Sequence, residues 1–493
     1  MYKKILIANR GEIAVRIIRT CREMGIQTVA IYEASDRGSL HVRLADECAQ
    51  LPGPQSFMDP AAVLAVAQEH EVEAIHPGYG YLAEDAEFIR ACEAVGIAFI
   101  GPPPEVVEVL RNKIGALEMA RAAGFRTVVH SPRSFSEDEY DELAAAADEI
   151  GYPVVIKSCR GGRGRGERVV TDPAHLVETV RRAQVETLAV YGNKQLYVER
   201  AILPAHQVGV QILADRDGNL VHLGEREGSV VQSNQKIIEE EPALCLTPER
   251  REELLDTAVQ LARLFKLQNL STVEFLVDRA GQFYFSEVKA RIQIAHTLAE
   301  MLAHIDLVRE QIRLEFGEPL GYRQEDIVRR GHAIMCRVQA EDPFHRYLPA
   351  PGHLRQVRLP GGPEVRVDTY VYAGCDVSPH YDPLVAKVTA WGPDRDTCVN
   401  RMRRALEDFI LIGAPSNLPL LLRILRDPTF LKGIYSTDFL SRLEEAPVPE
   451  FDRVQRDLAV AAAVLYVRRR EVFNPQTPDQ WATGWHRSSR KLP

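Results

Sequence analysis

Short apolar runs alternate with helical periods through the first hundred residues. Ile5 to Ala8 is a continuous apolar run, Glu12 to Met24 carries apolar side chains at helical spacing, and Thr28 to Tyr32 is apolar and extended again. This alternation predicts a parallel sheet with crossover helices, a doubly wound N-terminal domain. Further strands are expected at Ala74 to His76 and Ala98 to Ile100. Each is followed by Gly and Pro punctuation, His76-Pro77-Gly78-Tyr79-Gly80 and Gly101-Pro102-Pro103-Pro104. Loops at the carboxyl ends of such strands form ligand crevices.

A second unit begins near Asn112. It carries the Gly/Arg loop Arg160-Gly161-Gly162-Arg163-Gly164-Arg165-Gly166 between strand-like Pro153 to Lys157 and Glu167 to Val170, an arrangement that suggests a mobile lid. From Leu203 to Arg442 the chain mixes strand patterns, such as Val273 to Val277 and Gln282 to Phe285, with helices such as Glu252 to Phe265. After Glu444-Glu445-Ala446-Pro447 the texture changes. Val454 to Arg470 reads as one helix, apolar at Leu458, Ala461, Ala462 and Leu465, and the polar tail behind it holds Trp481 and Trp485, a candidate docking element. The expected class is α/β, divided at 1–111, 112–202, 203–445 and 446–493.

Composition narrows the function classes. At 493 residues the chain is too long for one ordinary core, and a net charge of -9 gives no reason to expect nucleic acid or an anionic membrane as partner. The eight cysteines are scattered without a C-x-x-C pair, which suits reduced thiols better than disulfides or a structural zinc. No apolar run reaches membrane-spanning length, and Met1-Tyr2-Lys3-Lys4 leads directly into the first strand; a cytoplasmic location is expected.

Ile7-Ala8-Asn9-Arg10-Gly11-Glu12-Ile13-Ala14, His76 to Gly80 and Tyr152 to Lys157 are followed in order by Asn234-Gln235-Lys236, Val273-Glu274-Phe275, Phe285-Ser286-Glu287, Arg291-Ile292-Gln293, Gly331-His332-Ala333, Arg337, Ala340 to Pro343 and Tyr381-Asp382. In this order and over 1–445, the chain resembles the biotin carboxylases of the ATP-grasp class. The resemblance implies an ATP-grasp lid and body behind the doubly wound domain, with a mixed α/β C-terminal domain. It also implies a reaction in which ATP phosphorylates bicarbonate and carrier-bound biotin is then carboxylated. Phosphoryl transfer of this kind needs cations on the triphosphate and metal-binding carboxylates beside them.

By the same resemblance, Lys113, Lys157 and the lid glycines Gly161, Gly162 and Gly164 meet the nucleotide phosphates, and Glu199, Arg200, Ile202 and Asn234 lie along the nucleotide. Backbone groups at 200 and 202 are expected to read the base edge. Glu274 and Glu287, at the ends of an expected hairpin, are the Mg2+ ligands. Lys236, Arg291, Gln293 and the backbone at Ile294 cradle bicarbonate, and Arg337 and Asp382 serve biotin, with Arg337 and Arg291 as the catalytic cations.

Departures from the family pattern concentrate in that site. Ala295 stands where the family has the glutamate that accepts the bicarbonate proton, help worth ~10²- to 10⁴-fold, or roughly 3–5 kcal/mol of barrier. Lys289 takes the place of a metal-binding asparagine and sets a positive charge beside the expected ion. Gln207, Gly209 and Asn234 replace histidine, glutamate and histidine, and Arg160 and Arg163 replace lid glycines. His296 is expected to point away from the site, on the premise that the segment is extended and neighbouring side chains alternate.

The expectation from these changes is a catalytically impaired homologue with a structural or regulatory role beside an active paralogue, still able to bind ATP. The alternatives are an active ATP-dependent biotin carboxylase and an ATP-grasp ligase retuned for another acid. No Met-Lys-Met biotin-attachment sequence is present, so biotin is expected on a separate carrier protein. Expected partners are that carrier, an active paralogue and carboxyltransferase subunits, in a homo- or heterodimer.

Overall fold

The computed structural model describes residues 1–53, 56–80, 82–159, 168–232, 235–343, 345–445 and 453–472. It separates into two compact units, Met1–Leu440 and Ser441–Pro493. The first unit opens with a parallel sheet of β1 (Lys4–Ile7), β2 (Gln27–Tyr32), β3 (Glu47–Gln50), β4 (Ala74–His76) and β5 (Ala98–Phe99), in the order β3-β2-β1-β4-β5. Ile5, Leu6 and Ile7 are fully buried, as a central strand covered on both faces requires. Helix α1 (Gly11–Glu23) makes the first crossover, matching the predicted helix to within a residue at either end.

The tight turn after β4 depends on Gly78, at φ +61°, where a Cβ would lie 3.0 Å from Asn9 Nδ2. Asn9 in turn donates to the carbonyls of Pro77 and Tyr79 at 2.7 and 2.8 Å, tying the loop after β1 to the loop after β4. The crevice at the carboxyl ends of the strands is therefore built from both signature segments.

β6 (Val154–Ser158), β7 (Val169–Val170) and β8 (Leu196–Arg200) form a small antiparallel sheet in the order β7-β6-β8. The strands flanking the Gly/Arg loop are thus present, while Arg160, Gly161, Gly162, Arg163 and Gly164 lie outside the described residues, as does Asn234.

The body is an antiparallel sheet of eight strands. It contains β9 (His206–Ala214), β10 (Leu220–Gln232), β11 (Gln235–Glu241), β12 (Asn269–Val277), β13 (Phe283–Lys289) and β14 (His332–Gln339), and closes with the strands Leu384–Gly392 and Val365–Thr369. The order is β13-β12-β9-β10-β11-β14, then Leu384–Gly392 and Val365–Thr369. The hairpin runs further than its sequence pattern suggested: β13 extends to Lys289, so Glu274 and Glu287 face each other within the ladder rather than at its ends. A register shift follows directly after Glu274, a distortion common beside functional sites.

Cross-strand partners share a face. Glu287 opposes Glu274, Glu274 opposes Gly209, and Gly209 opposes Arg226, which sets one row of positions across four strands. The row explains why a change at 209 bears on the carboxylates.

In the second unit, Arg453–Val472 is a helix, as predicted, while Trp481 and Trp485 fall outside the described residues. Among the described residues no helix is long and apolar enough to cross a membrane, and all eight cysteines are free.

Candidate active site

A cavity of about 280 Å³ opens over the row of strand positions. Lys113, Lys157, Lys236, Glu274, Glu287, Lys289, Arg291, Gln293, Ile294 and Arg337 line it together with Gln207 and Tyr197. Residues from well-separated stretches of chain are thus gathered on one surface.

The anion side rests on β11. Gly228 makes room for Lys236, because a Cβ there would sit 2.5 Å from Lys236 Cδ, and the Lys236 ammonium reaches Glu274 Oε2 at 3.0 Å. Gln293 Nε2 donates to the other oxygen of Glu274 at 2.8 Å, and Arg291 Nε donates to Glu84 Oε2 at 3.1 Å. Burial alone would raise the Glu274 pKa, but Lys236 and Arg226 hold it down at about 2. The loop carrying Ile294 is fastened from behind: Lys387 Nζ donates to the Ile294 carbonyl at 3.2 Å and pairs with Glu12 Oε2 at 3.0 Å.

The second carboxylate is more crowded. Glu287 Oε2 has the Lys289 ammonium at 2.9 Å and the Lys113 ammonium at 3.2 Å. Against the effect of burial, these two charges hold the Glu287 carboxyl well below the usual range. Burial would lower Lys289, but Glu287 and Glu84 raise it, so Lys289 stays charged. Lys113 moves the other way, with burial pulling it down to about 8 despite its partner. At Gly209, an added Cβ would meet Glu274 Oε1 at 2.9 Å, so the present position of Glu274 depends on the missing side chain.

Ala295 is fully buried and packs with Leu298, Leu302, Ala333 and Met335, with Ile294 and Trp391 against the cluster. The segment is not extended, contrary to the sequence reading: 294 and 295 form a turn, and Ala295 is the N-cap of the helix His296–Ala303. His296 still faces away, for a different reason. Its Nδ1–H donates to the Gln293 carbonyl at 2.8 Å, its ring is fully buried, and burial pushes its pKa well below the ordinary histidine value.

On the opposite wall, Lys157 is buried and ion-paired with Glu199, whose other oxygen accepts from the Tyr197 hydroxyl at 2.7 Å. This excludes a solvated Lys157. The Arg200 N–H donates to the Val129 carbonyl at 2.8 Å, so this donor is already committed within the fold. The Arg200 guanidinium donates to the Ile150 carbonyl, and Ile202 is half-buried beside the small cluster of Val128, Ala205 and Leu276.

Arg337 Nη2 donates to Glu239 Oε1 at 2.5 Å. Asp382 accepts from the Leu384 N–H at 2.9 Å, and Asp382 and Arg337 both act electrostatically on Tyr79. Glu12, Tyr79, Glu84, Glu239 and Lys387 were missed as members of the site. Lys387 had a readable signal, a single cation inside the apolar run Leu384-Val385-Ala386-Lys387-Val388, where an unpaired charge would be costly.

Three family models match the chain: "Biotin carboxylase, N-terminal domain" over 1–107, "Carbamoyl-phosphate synthase L chain, ATP binding domain" over 113–323, and "Biotin carboxylase C-terminal domain" over 335–442. The biotin carboxylase of Nostoc sp. is 44% identical over 447 residues, covering 90% of this chain and all of that protein. A pyruvate carboxylase subunit of Methanothermobacter thermautotrophicus is 40% identical, covering 93% of each. Among solved structures, the biotin carboxylase domain dimer of Hydrogenobacter thermophilus 2-oxoglutarate carboxylase, in complex with MgADP, ADP and bicarbonate, superposes with a TM-score of 0.87 at 40% identity. It covers 90% of this chain and 98% of that one. The α/β architecture, the order of the motifs and these matches agree, and the chain belongs to the biotin carboxylase family.

Proposed function

We propose that this chain is a biotin-carboxylase-like subunit of a biotin-dependent carboxylase system that retains a grip on nucleotide and bicarbonate but has lost most or all turnover. It acts as a structural or regulatory member beside an active paralogue, with biotin delivered on a separate carrier protein. The observation that carries this reading is Ala295, a methyl group sealed in an apolar cluster at the position of the proton acceptor.

Among the described residues, no neighbour is suited to replace the missing base. Efficient proton transfer asks for a pKa near the working pH. Glu274 is held at about 2 and Glu287 well below its ordinary value, so both are weak acceptors. Glu84 is likewise lowered by Arg291 and Lys289 against the effect of burial, and His296 faces the Gln293 carbonyl.

The Mg2+ that the family implies fits this site poorly. Two aligned carboxylates are suitable oxygen donors, but Lys289 adds an ammonium where a third neutral ligand is expected, 2.9 Å from Glu287 Oε2. Lys289 acts instead as a resident cation. An ammonium ~4 Å from a divalent ion costs several kcal/mol at an effective dielectric constant of ~20. Nucleotide affinity, measured by titration calorimetry, is therefore expected to change less than about threefold between excess Mg2+ and chelator, and Lys289→Asn to make it metal-dependent by roughly tenfold or more. Strong metal dependence in the unsubstituted protein would contradict this assignment.

Lys113 adds a pH dependence. Its pKa is about 8 in the free protein, and a polyphosphate favours the charged form, so binding above that pH takes up a proton. Nucleotide affinity should hold steady below pH 8 and fall by up to about tenfold per unit above it. Lys113→Gln should flatten that profile.

A second reading, an active ATP-dependent biotin carboxylase, is favoured by the presence of Lys236, Arg291, Gln293 and Arg337 on one cavity and by relatives named as biotin carboxylases. Turnover separates the two readings.

A further inference from the structure

Outside the cavity, His206, Glu227 and Cys245 bring one imidazole nitrogen, one carboxylate oxygen and one thiol sulfur within 4.8 Å of one another. They come from three different segments. His206 opens β9, Glu227 lies in β10, and Cys245 sits in the loop between β11 and the helix Pro248–Leu264. We infer that these three side chains form a binding site for a thiophilic divalent cation, with Zn2+ the best match, that clips the start of β9 to β10 and to that loop.

The donor set is the argument. Mixed sulfur, imidazole and carboxylate ligation suits Zn2+, whereas Mg2+ and Ca2+ require oxygen donors. Tetrahedral Zn2+ with bonds of about 2.0–2.3 Å places its ligand atoms roughly 3.2–3.8 Å apart, so only small side-chain movements separate the present spacing from a bound geometry. Glu227 is fully buried, whereas His206 and Cys245 are half-buried, which leaves an approach for the ion and a water as fourth ligand.

The carboxylate is already oriented. Glu227 Oε1 accepts from Ser229 Oγ at 2.7 Å and from His206 Nδ1 at 2.6 Å, and Ser229 Oγ accepts from the Gln207 N–H at 3.1 Å. Such outer partners fix ligand orientation in metal sites. Burial and Glu227 push the Cys245 thiol up, so the cation displaces the thiol proton, while the His206 ring hydrogen resides on whichever nitrogen does not face the ion. Gln207, the residue after His206, lines the active-site cavity, so the clip would stiffen one wall of it.

The test uses the full chain, stripped with chelator and titrated separately with Zn2+ and Co2+. One Zn2+ per chain is expected, together with a thiolate-to-Co2+ charge-transfer band and Zn2+ protection of Cys245 from alkylation, read by mass spectrometry of that peptide. Cys245→Ser should abolish the band. His206→Gln, in protein that still binds nucleotide, should weaken Zn2+ by at least the roughly 10- to 100-fold that loss of an outer-shell partner costs. Absence of the band in the unsubstituted chain, or Zn2+ that leaves Cys245 as reactive as before, would overturn the site. So would affinity unchanged in both variants. The alkylation readout distinguishes this site from an ion held by Glu274 and Glu287.

Discussion

The combined substitution Ala295→Glu, Lys289→Asn, Arg160→Gly and Arg163→Gly is expected to raise bicarbonate-dependent ATP turnover by roughly 10²- to 10⁴-fold, whereas Ala295→Glu alone gains less than about tenfold. A lone carboxylate at 295 enters an apolar cluster that includes Leu298, Leu302 and Met335, where burial opposes its ionised form. It also finds Lys289 and Lys113 still clamped on Glu287, so that carboxylate stays engaged by two ammonium groups. Initial rates of ADP release with bicarbonate and free biotin check both variants. Strong recovery by the single substitution would show that the lost base is the whole defect.

The largest stability effect is expected at Lys387, which is fully buried and holds both Glu12 and the Ile294 carbonyl. Lys387→Met leaves the Glu12 carboxylate buried without its cation, a loss of about 3–5 kcal/mol. Glu12 already has a raised pKa, chiefly from burial, so its folded state holds a proton more tightly than the unfolded chain does. For such an acid, stability is present at low pH and lost as pH rises through the folded value. The unfolding midpoint of Lys387→Met should therefore drop more at pH 8 than at pH 5, and Glu12→Gln in the same chain should recover most of the loss. An unchanged midpoint at both pH values would show that the pair does not support the fold.

Legibility of the sequence followed burial. β1, α1 and β2 were readable because a parallel sheet covered on both faces demands continuous apolar runs, whereas β3, with the sequence Glu47-Cys48-Ala49-Gln50 at a sheet edge, carries no such run. The carboxylates Glu274 and Glu287 could be placed on one hairpin, but not in register with Gly209 and Arg226, because cross-strand pairing of distant segments leaves no local trace. The segment before His296 was read as extended because Ala295, an N-cap without a side-chain hydrogen bond, offers none of the Ser, Thr, Asp or Asn signals that mark a helix start. The motifs contain Arg291 and Arg337, while Glu84 and Glu239 become apparent only as their partners in space, and Lys387, alone among apolar residues of its strand, shows its partner Glu12 only in the fold.

Glu274 and Glu287, which line the cavity, are held below the usual carboxylate range, and a buried methyl group stands at position 295. The most direct test is bicarbonate-dependent ATP hydrolysis with free biotin, using purified full-length chain beside an active biotin carboxylase under the same conditions. The account predicts a rate at least ~10²-fold lower, with nucleotide still bound. A rate within about tenfold of the active enzyme would contradict it, since loss of a general base costs more than that.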